Sequence, residues 1–359
     1  MSKQRKLWRR CHQTAGKSAG KAATGDNLPP VPEKNRGCQE KVLANLWSSQ
    51  RSYKRSLKTS TLVVGKTHNG KCQMKMLTIS LLLLAAEITL ASEPAARGAG
   101  RANPFFSMDT AVGNLNELDT VKALGYDGIG WKCGKPAEMS AAVTQIQQRG
   151  LKLFAVYGQT GSLSKTNLVL DPKLDGTMEA LKGTDAIIWL VIDSKDFPVS
   201  SPDGDAVAVP VLQKLADRVA KSGLQVAIYP HMYAWTERVQ DAVRLAKKVD
   251  RKNFGATFNL CHCLMAGDEA KIPELLTEAA PHLFLVTVNG ADAGAARTKW
   301  ERVIQPLDQG SYDVSIVLKK LTELNYTGPI GLQAYSVRIP VKENLTRSMS
   351  AWRSLNERK

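Results

Sequence analysis

From residue 104 onward, apolar residues follow two patterns that alternate along the chain. Short runs rich in β-branched and aromatic residues give way to stretches whose apolar positions recur at helical spacing, with Gly, Pro or Asp between them. The short runs predict strands at 104–110 (PFFSMDT), 126–132 (YDGIGWK), 151–158 (LKLFAVYG), 185–193 (DAIIWLVID), 224–231 (LQVAIYPH), 254–262 (FGATFNLCH), 282–292 (HLFLVTVNGAD) and 328–336 (GPIGLQAYS). Between them lie predicted helices such as AEMSAAVTQIQQRG, ended by Gly150, and WTERVQDAVRLAKKVD. Eight such units over roughly 260 residues match the size of one (β/α)8 barrel. The fold expected is therefore α/β, a single-domain TIM barrel over residues 104–359. An open doubly wound sheet would also alternate strands and helices. No G-x-G-x-x-G follows any of these strands, so its dinucleotide fingerprint is missing.

Charge separates the barrel from what precedes it. The chain carries 49 Lys and Arg against 33 Asp and Glu, a net of +16. Residues 1–73 hold 16 of the basic residues against only Asp26, Glu33 and Glu40, a net of +13, which leaves +3 for residues 74–359. That first stretch reads as a basic low-complexity extension. MKMLTISLLLLAAEITLASEPAARGAG follows from Met74: one Lys, an apolar block of signal-peptide length, then small residues. The economical expectation is a start at Met74 or Met76, a signal peptide over 74–91 cleaved after Ala91, a short linker over 92–103, and a periplasmic or secreted product. The alternatives are a basic tail with a membrane anchor, or a buried helix. The block is short for a span and Glu87 interrupts it, so no stable membrane insertion is expected after cleavage. Cys11, Cys38 and Cys72 fall in the extension; Cys133, Cys261 and Cys263 remain, an odd number and no disulfide framework.

In a barrel the chemistry lies at the C-terminal ends of the strands. Here those ends supply Asp109, Lys132, Tyr157, Gln159, Asp193, Tyr229, His231, Asn259, His262, Asn289, Asp292, Gln333 and Tyr335. About half of these are expected only to solvate loops. His231 and His262 are the leading candidates for acid–base work, because the imidazole titrates nearest neutrality. His282 begins its strand, at the opposite face, and is read as structural. Cys261-His262-Cys263 invites a zinc reading. On a strand its neighbouring side chains would face opposite ways, so the cysteines are read as small apolar fillers.

LGYDGIG, VAIYPH, FNLCH, VNGAD and GPIGLQAY, in this order and spacing, resemble the xylose-isomerase-like TIM barrels. That superfamily includes sugar and sugar-phosphate isomerases and epimerases and the endonuclease IV type of DNA-repair enzyme. The closing NLTRSMSAWRSL resembles the tail of exported members. The resemblance implies a divalent metal held by a Glu, an Asp, a His and a Glu ending strands five to eight. Those positions fall on Tyr229, Asn259, Asn289 and Gln333, so the anionic cage suited to Mg²⁺ or Mn²⁺ is replaced by neutral groups. No metal ligand is assigned and no cofactor is expected, with Mn, Mg or Zn the alternative if held another way. Amides both donate and accept, which suits sugar hydroxyls. Asp109, Lys132, Tyr157, Tyr229, Asn259, Asn289 and Gln333 are therefore read as substrate-binding, and His231 and His262 as catalytic. The function implied is an exported isomerase or epimerase, or related lyase, on a small carbohydrate; the alternative is a carbohydrate-binding barrel without catalysis. A core charge of +3 gives no phosphate-tracking surface, so nucleic acid is not an expected partner. The oligomeric state is left open.

Overall fold

The protein is described by a computed structural model over residues 103–357. The expected basic extension (1–73), the signal segment (74–91) and all but the last residue of the 92–103 linker lie outside the described residues. Among the described residues, no helix is long and apolar enough to cross a membrane.

The strands are β1 (Phe105–Met108), β2 (Gly128–Lys132), β3 (Lys152–Leu163), β4 (Leu168–Leu170), β5 (Ile187–Ser194), β6 (Gln225–Ile228), β7 (Phe254–Asn259), β8 (Leu283–Val288) and β9 (Ile330–Leu332). Their order is β2-β1-β9-β8-β7-β6-β5-β3, and β2 pairs with β3 to close a ring of eight parallel strands. β4 stands outside the ring, antiparallel to the far end of β3. The helices are α1 (Leu118–Ala123), α2 (Pro136–Gln148), α3 (Leu174–Ala180), α4 (Asp205–Ala220), α5 (Val239–Val249), α6 (Leu260–Ala266), α7 (Ile272–Ala279), α8 (Trp300–Val303), α9 (Ser315–Glu323) and α10 (Val341–Glu357).

Two elements differ from the sequence expectation. The sixth predicted strand stops at Asn259, and Leu260–Ala266 turns into a fully buried helix closed by Gly267 at φ 84°. A short apolar run buried on all sides carries no periodicity that separates strand from helix. The third strand runs on to Leu163 and folds back as β4, past an irregularity in its pairing between Val156 and Gln159. The returning strand is a run of only three apolar residues, Leu168–Leu170, too short to announce a hairpin.

Strand alternation divides the core into two layers. Outward residues such as Phe105, Ile129 and Ile188 pack against the helices, where Phe105 stacks on Trp352 of α10 at 4.1 Å between ring centroids. Inward residues such as Phe106, Phe154, Trp189 and Leu285 fill the ring. Phe106 is held between two glycines on the strands that flank β1. A Cβ on Gly331 would lie 2.3 Å from its ring, and one on Gly130 would lie 3.0 Å from it. The ring has no cheap escape, because it is fully buried and stacked on Phe154 at 5.2 Å. Gly331→Ala is therefore expected to destabilise the protein by about 1–3 kcal/mol, as overpacking of a filled core does. Urea unfolding checks this, and an unchanged midpoint would mean that the barrel floor has room to spare.

Candidate functional site

The period of two carries inward residues near the ends of six strands to one rim, and the turn after β1, whose own inward residues are Phe106 and Met108, brings Asp109 to the same place. Asp109 follows β1, Lys132 ends β2, Tyr157 lies on β3, Tyr229 follows β6, Asn259 ends β7, Asn289 follows β8 and Gln333 follows β9. Two surface clefts of about 510 and 530 Å³ lie on the outer helical shell and include none of these residues.

One sector of the rim is built on Asp109. Its carboxylate accepts the Tyr157 hydroxyl on one oxygen and, at 3.0 Å, the Lys132 backbone N–H on the other. Burial raises the Asp109 carboxyl above its ordinary 3.8; the Tyr157 hydroxyl, the Lys132 N–H and the Lys132 charge oppose this without cancelling it. Tyr157 stays protonated, since burial and then the Asp109 charge push its phenol well above 10. The result is a carboxyl easier to protonate than usual, with a hydroxyl donor fixed on it.

The second sector contains Tyr229, His231, His262 and Gln333. His262, in the first turn of α6, is buried with both ring nitrogens engaged: Nε2 lies 3.0 Å from the Tyr229 hydroxyl, and Nδ1 accepts the Met232 N–H at 3.3 Å. Burial, and then the neighbouring His231, hold this imidazole well below its ordinary value, so it is neutral at pH 7. His231 is half-buried, its ring 4.3 Å from that of His262, and its Nδ1 donates to the Met232 carbonyl at 3.1 Å. Burial drives the Tyr229 phenol well above 10, and the Gln333 amide faces its hydroxyl. Two links join the sectors: Thr110, next to Asp109, donates to Gln333 at 2.8 Å, and Trp189 packs between Tyr157 (6.3 Å) and Tyr229 (4.8 Å).

The amides do not offer sugar hydroxyls a choice of donor or acceptor, because their surroundings lock them. Gln333 Oε1 accepts from Thr110 Oγ1 and from the backbone N–H groups of Ala334 and Tyr335 at 2.9 and 3.0 Å, so the NH₂ end is the one presented. Asn289 is locked the other way: Nδ2 donates to the carbonyls of Gly290 (2.9 Å) and Val303 (2.7 Å), and the buried Oδ1 has no partner. Asn259 accepts from Thr287 at 2.7 Å and donates to Thr257 at 2.8 Å. Of the three amides at the four positions where a metal cage would be expected, only Asn289 keeps an uncommitted oxygen, and that oxygen is buried. A hard divalent cation prefers several oxygen ligands, with carboxylates prominent among them, and this donor set does not fit it. Among the described residues, no group of three or more His, Cys, Asp and Glu is placed to hold a metal ion.

Cys261, His262 and Cys263 share the buried α6, where successive side chains diverge by about 100°, instead of the strand that the sequence pattern suggested. Burial pushes the Cys261 thiol up to about 12 and the Cys263 thiol higher still, so both stay neutral and pack as apolar groups. Asp292 is tied to Arg302 and Gln305 in its own loop. Gln159, beyond the pairing irregularity, turns to Cys133 and Thr177. Trp189, Thr110, Thr257, Thr287 and Trp300, whose ring meets His262 edge-on at 5.3 Å, were not singled out in the sequence. Thr257 and Thr287 had a signal, since each stands two residues before a rim amide. Trp189 had none, because mid-strand it reads as core.

A family model described as the xylose isomerase-like TIM barrel matches residues 118–355. No curated protein matches the chain. Among solved structures, the chain covers 69% of itself and 42% of a xylose isomerase-like TIM barrel/4-hydroxyphenylpyruvate dioxygenase fusion protein, at 16% identity and a TM-score of 0.54. It therefore spans less than half of that protein's length. A 3-keto-D-glucoside 4-epimerase from E. coli is matched over 70% of this chain and 99% of its own, at 16% identity and a TM-score of 0.52. A D-allulose 3-epimerase from Methylomonas sp. is matched over 71% and 98%, at 15% identity and a TM-score of 0.56. At these identities the likeness to solved structures is one of fold.

The raised Asp109 carboxyl has a consequence for stability. Its folded value lies above the unfolded one, so its contribution is fully present below about pH 3.8 and is lost as pH rises through the folded value. Asp109→Asn does not titrate. The stability of this variant relative to wild type is therefore expected to rise from about pH 4 and to level off once Asp109 has ionised in the folded protein. Urea unfolding across a pH series checks this, and a difference that stays flat would mean that burial does not oppose the Asp109 charge.

Proposed function

Because the chain belongs to the xylose isomerase-like TIM barrel family, we propose that it is a carbohydrate isomerase or epimerase, acting on a sugar or keto-sugar by proton transfer at the C-terminal face of the barrel. The placement of Asp109 and His231 carries this reading. They follow β1 and β6, which lie four places apart in either direction round the ring of eight. A substrate in the mouth thus has one proton carrier on each side, the arrangement that inversion at carbon needs. Asp109 takes a proton from the carbon next to a carbonyl, and His231, carrying a second proton on Nε2 besides the Nδ1–H held by Met232, gives that proton to the opposite face; exchange with solvent then resets the protonated Asp109 and the neutral His231. His262, whose nitrogens are both engaged, acts through Tyr229 and not on the substrate. The similar structures named as epimerases of a keto-glucoside and of allulose support a small carbohydrate as substrate. The reading has no resident divalent metal, because the locked amides and Tyr229 offer it no anionic ligand.

The test is proton exchange with solvent. The protein, with a panel of sugars and keto-sugars in D₂O, is expected to place deuterium on the carbon beside the carbonyl of its substrate, with or without EDTA. Asp109→Asn and His231→Gln are each expected to lower epimerisation by about 10²- to 10⁴-fold. A sugar that raises the melting temperature yet never takes up deuterium would make the protein a carbohydrate-binding barrel instead. Loss of exchange in EDTA, restored by Mn²⁺, would overturn the metal-free chemistry.

We also propose export to the periplasm or medium, supported by the apolar block after Met74 and the small residues before Ser92. The mature protein is expected to begin near Ser92 on N-terminal sequencing; recovery of residues 1–73 in it would refute this.

A further inference from the structure

We propose that Tyr229 is a catalytic residue, the electrophile of the site: its hydroxyl donates to a ketone oxygen of the substrate, at the position where related barrels would carry a metal-binding carboxylate. The inference rests on the isomerase or epimerase reading and narrows the substrate to one with a carbonyl in the reacting position.

An inventory of hydrogens leads to it. The Met232 backbone N–H points at His262 Nδ1 (3.3 Å), so that nitrogen holds a lone pair and the ring's one hydrogen is on Nε2. Nε2 lies 3.0 Å from the Tyr229 oxygen and therefore donates to it. Gln333, facing the same hydroxyl, has its Oε1 occupied by Thr110, Ala334 and Tyr335 and presents only N–H. Neither neighbour can take the Tyr229 hydrogen, which is left for a third partner. An N–H donated to the phenol oxygen also polarises its O–H and strengthens it as a donor.

A Tyr229 O–H beside a Gln333 N–H matches a ketone oxygen, which has two lone pairs and no hydrogen. When Asp109 removes the adjacent C–H proton, that bonding pair becomes the C=C of an enediolate and the carbonyl π pair moves onto oxygen. The charge forms where the two donors point. Return of a proton to the carbon restores the ketone, and no oxidant or reductant is needed.

Two measurements test this on the intact protein. The first needs no substrate: ¹⁵N NMR of the imidazole nitrogens at neutral pH is expected to show His262 with hydrogen on Nε2 and none on Nδ1. A hydrogen on Nδ1 would overturn the proposal, because Tyr229 would then spend its hydrogen on His262. The second uses D-fructose, D-allulose and a 3-keto-D-glucoside in the D₂O exchange assay. Tyr229→Phe, with its melting temperature checked, is expected to lower kcat by about 10²- to 10³-fold with KM little changed, the effect of losing one donor to a developing oxyanion. Unchanged kcat, or a loss confined to KM, would refute the role. If wild type exchanges none of these sugars, the isomerase reading fails, while the tautomer still decides whether Tyr229 is poised to donate.

Discussion

The pairing of β1 with both β2 and β9, completed by β2 with β3, turns a row of strands into a closed ring. Everything at the rim depends on that closure. Once the strands are parallel and the ring is shut, every second residue points inward, and the last inward residue of each strand has one place to go. Phe106 shows how tightly the closure is set: glycines on both neighbouring strands clear the space for one ring. From that floor upward, Trp189 and the two tyrosines fill the barrel and the polar rim begins.

The rim exchanges ionic charge for oriented dipoles. A carboxylate cage would bind a cation wherever its oxygens converge, whereas an amide works only if its two ends are held the right way round. Here the holding is done by neighbours that cannot reverse their own polarity. Backbone N–H groups fix Gln333, backbone carbonyls fix Asn289, and the Met232 N–H fixes the tautomer of His262. Preorganised donors of this kind stabilise charge as it develops without first having to reorganise.

Much of this was legible in the sequence, for physical reasons. Strand positions followed from the period of two, and all eight barrel strands lie where the apolar runs put them. The rim residues followed from those strand ends. The strand-to-helix switch at Asn259 was hidden, because LCHCLMA is buried on every side and shows no polar face to count. The polarity of each amide was hidden as well. Gln333 and Asn289 are both side-chain amides in the chain, and only their partners make one a donor and the other an acceptor. Likewise, His262 looked like an acid–base residue from its type alone; what redirects it toward Tyr229 is a backbone N–H thirty residues earlier.

The same rim holds features that a fold selected for stability alone would lose. Asp109 keeps a carboxyl whose charge is opposed by burial, and Asn289 Oδ1 and the Trp189 indole N–H are buried without partners. An unpaired buried polar group costs on the order of 1–3 kcal/mol; unpaired atoms also occur away from the rim, at Gln159, Gln240 and Tyr312, whereas the buried Asp205 and Asp241 carboxylates meet Arg244, with Lys248 on Asp205 and Ser200 on Asp241. At the rim, the Asp109 carboxylate is the base that the proposed removal of a carbon-bound hydrogen calls for, and the Tyr229 hydroxyl with the Gln333 N–H are the donors that the proposal sets against the carbonyl oxygen.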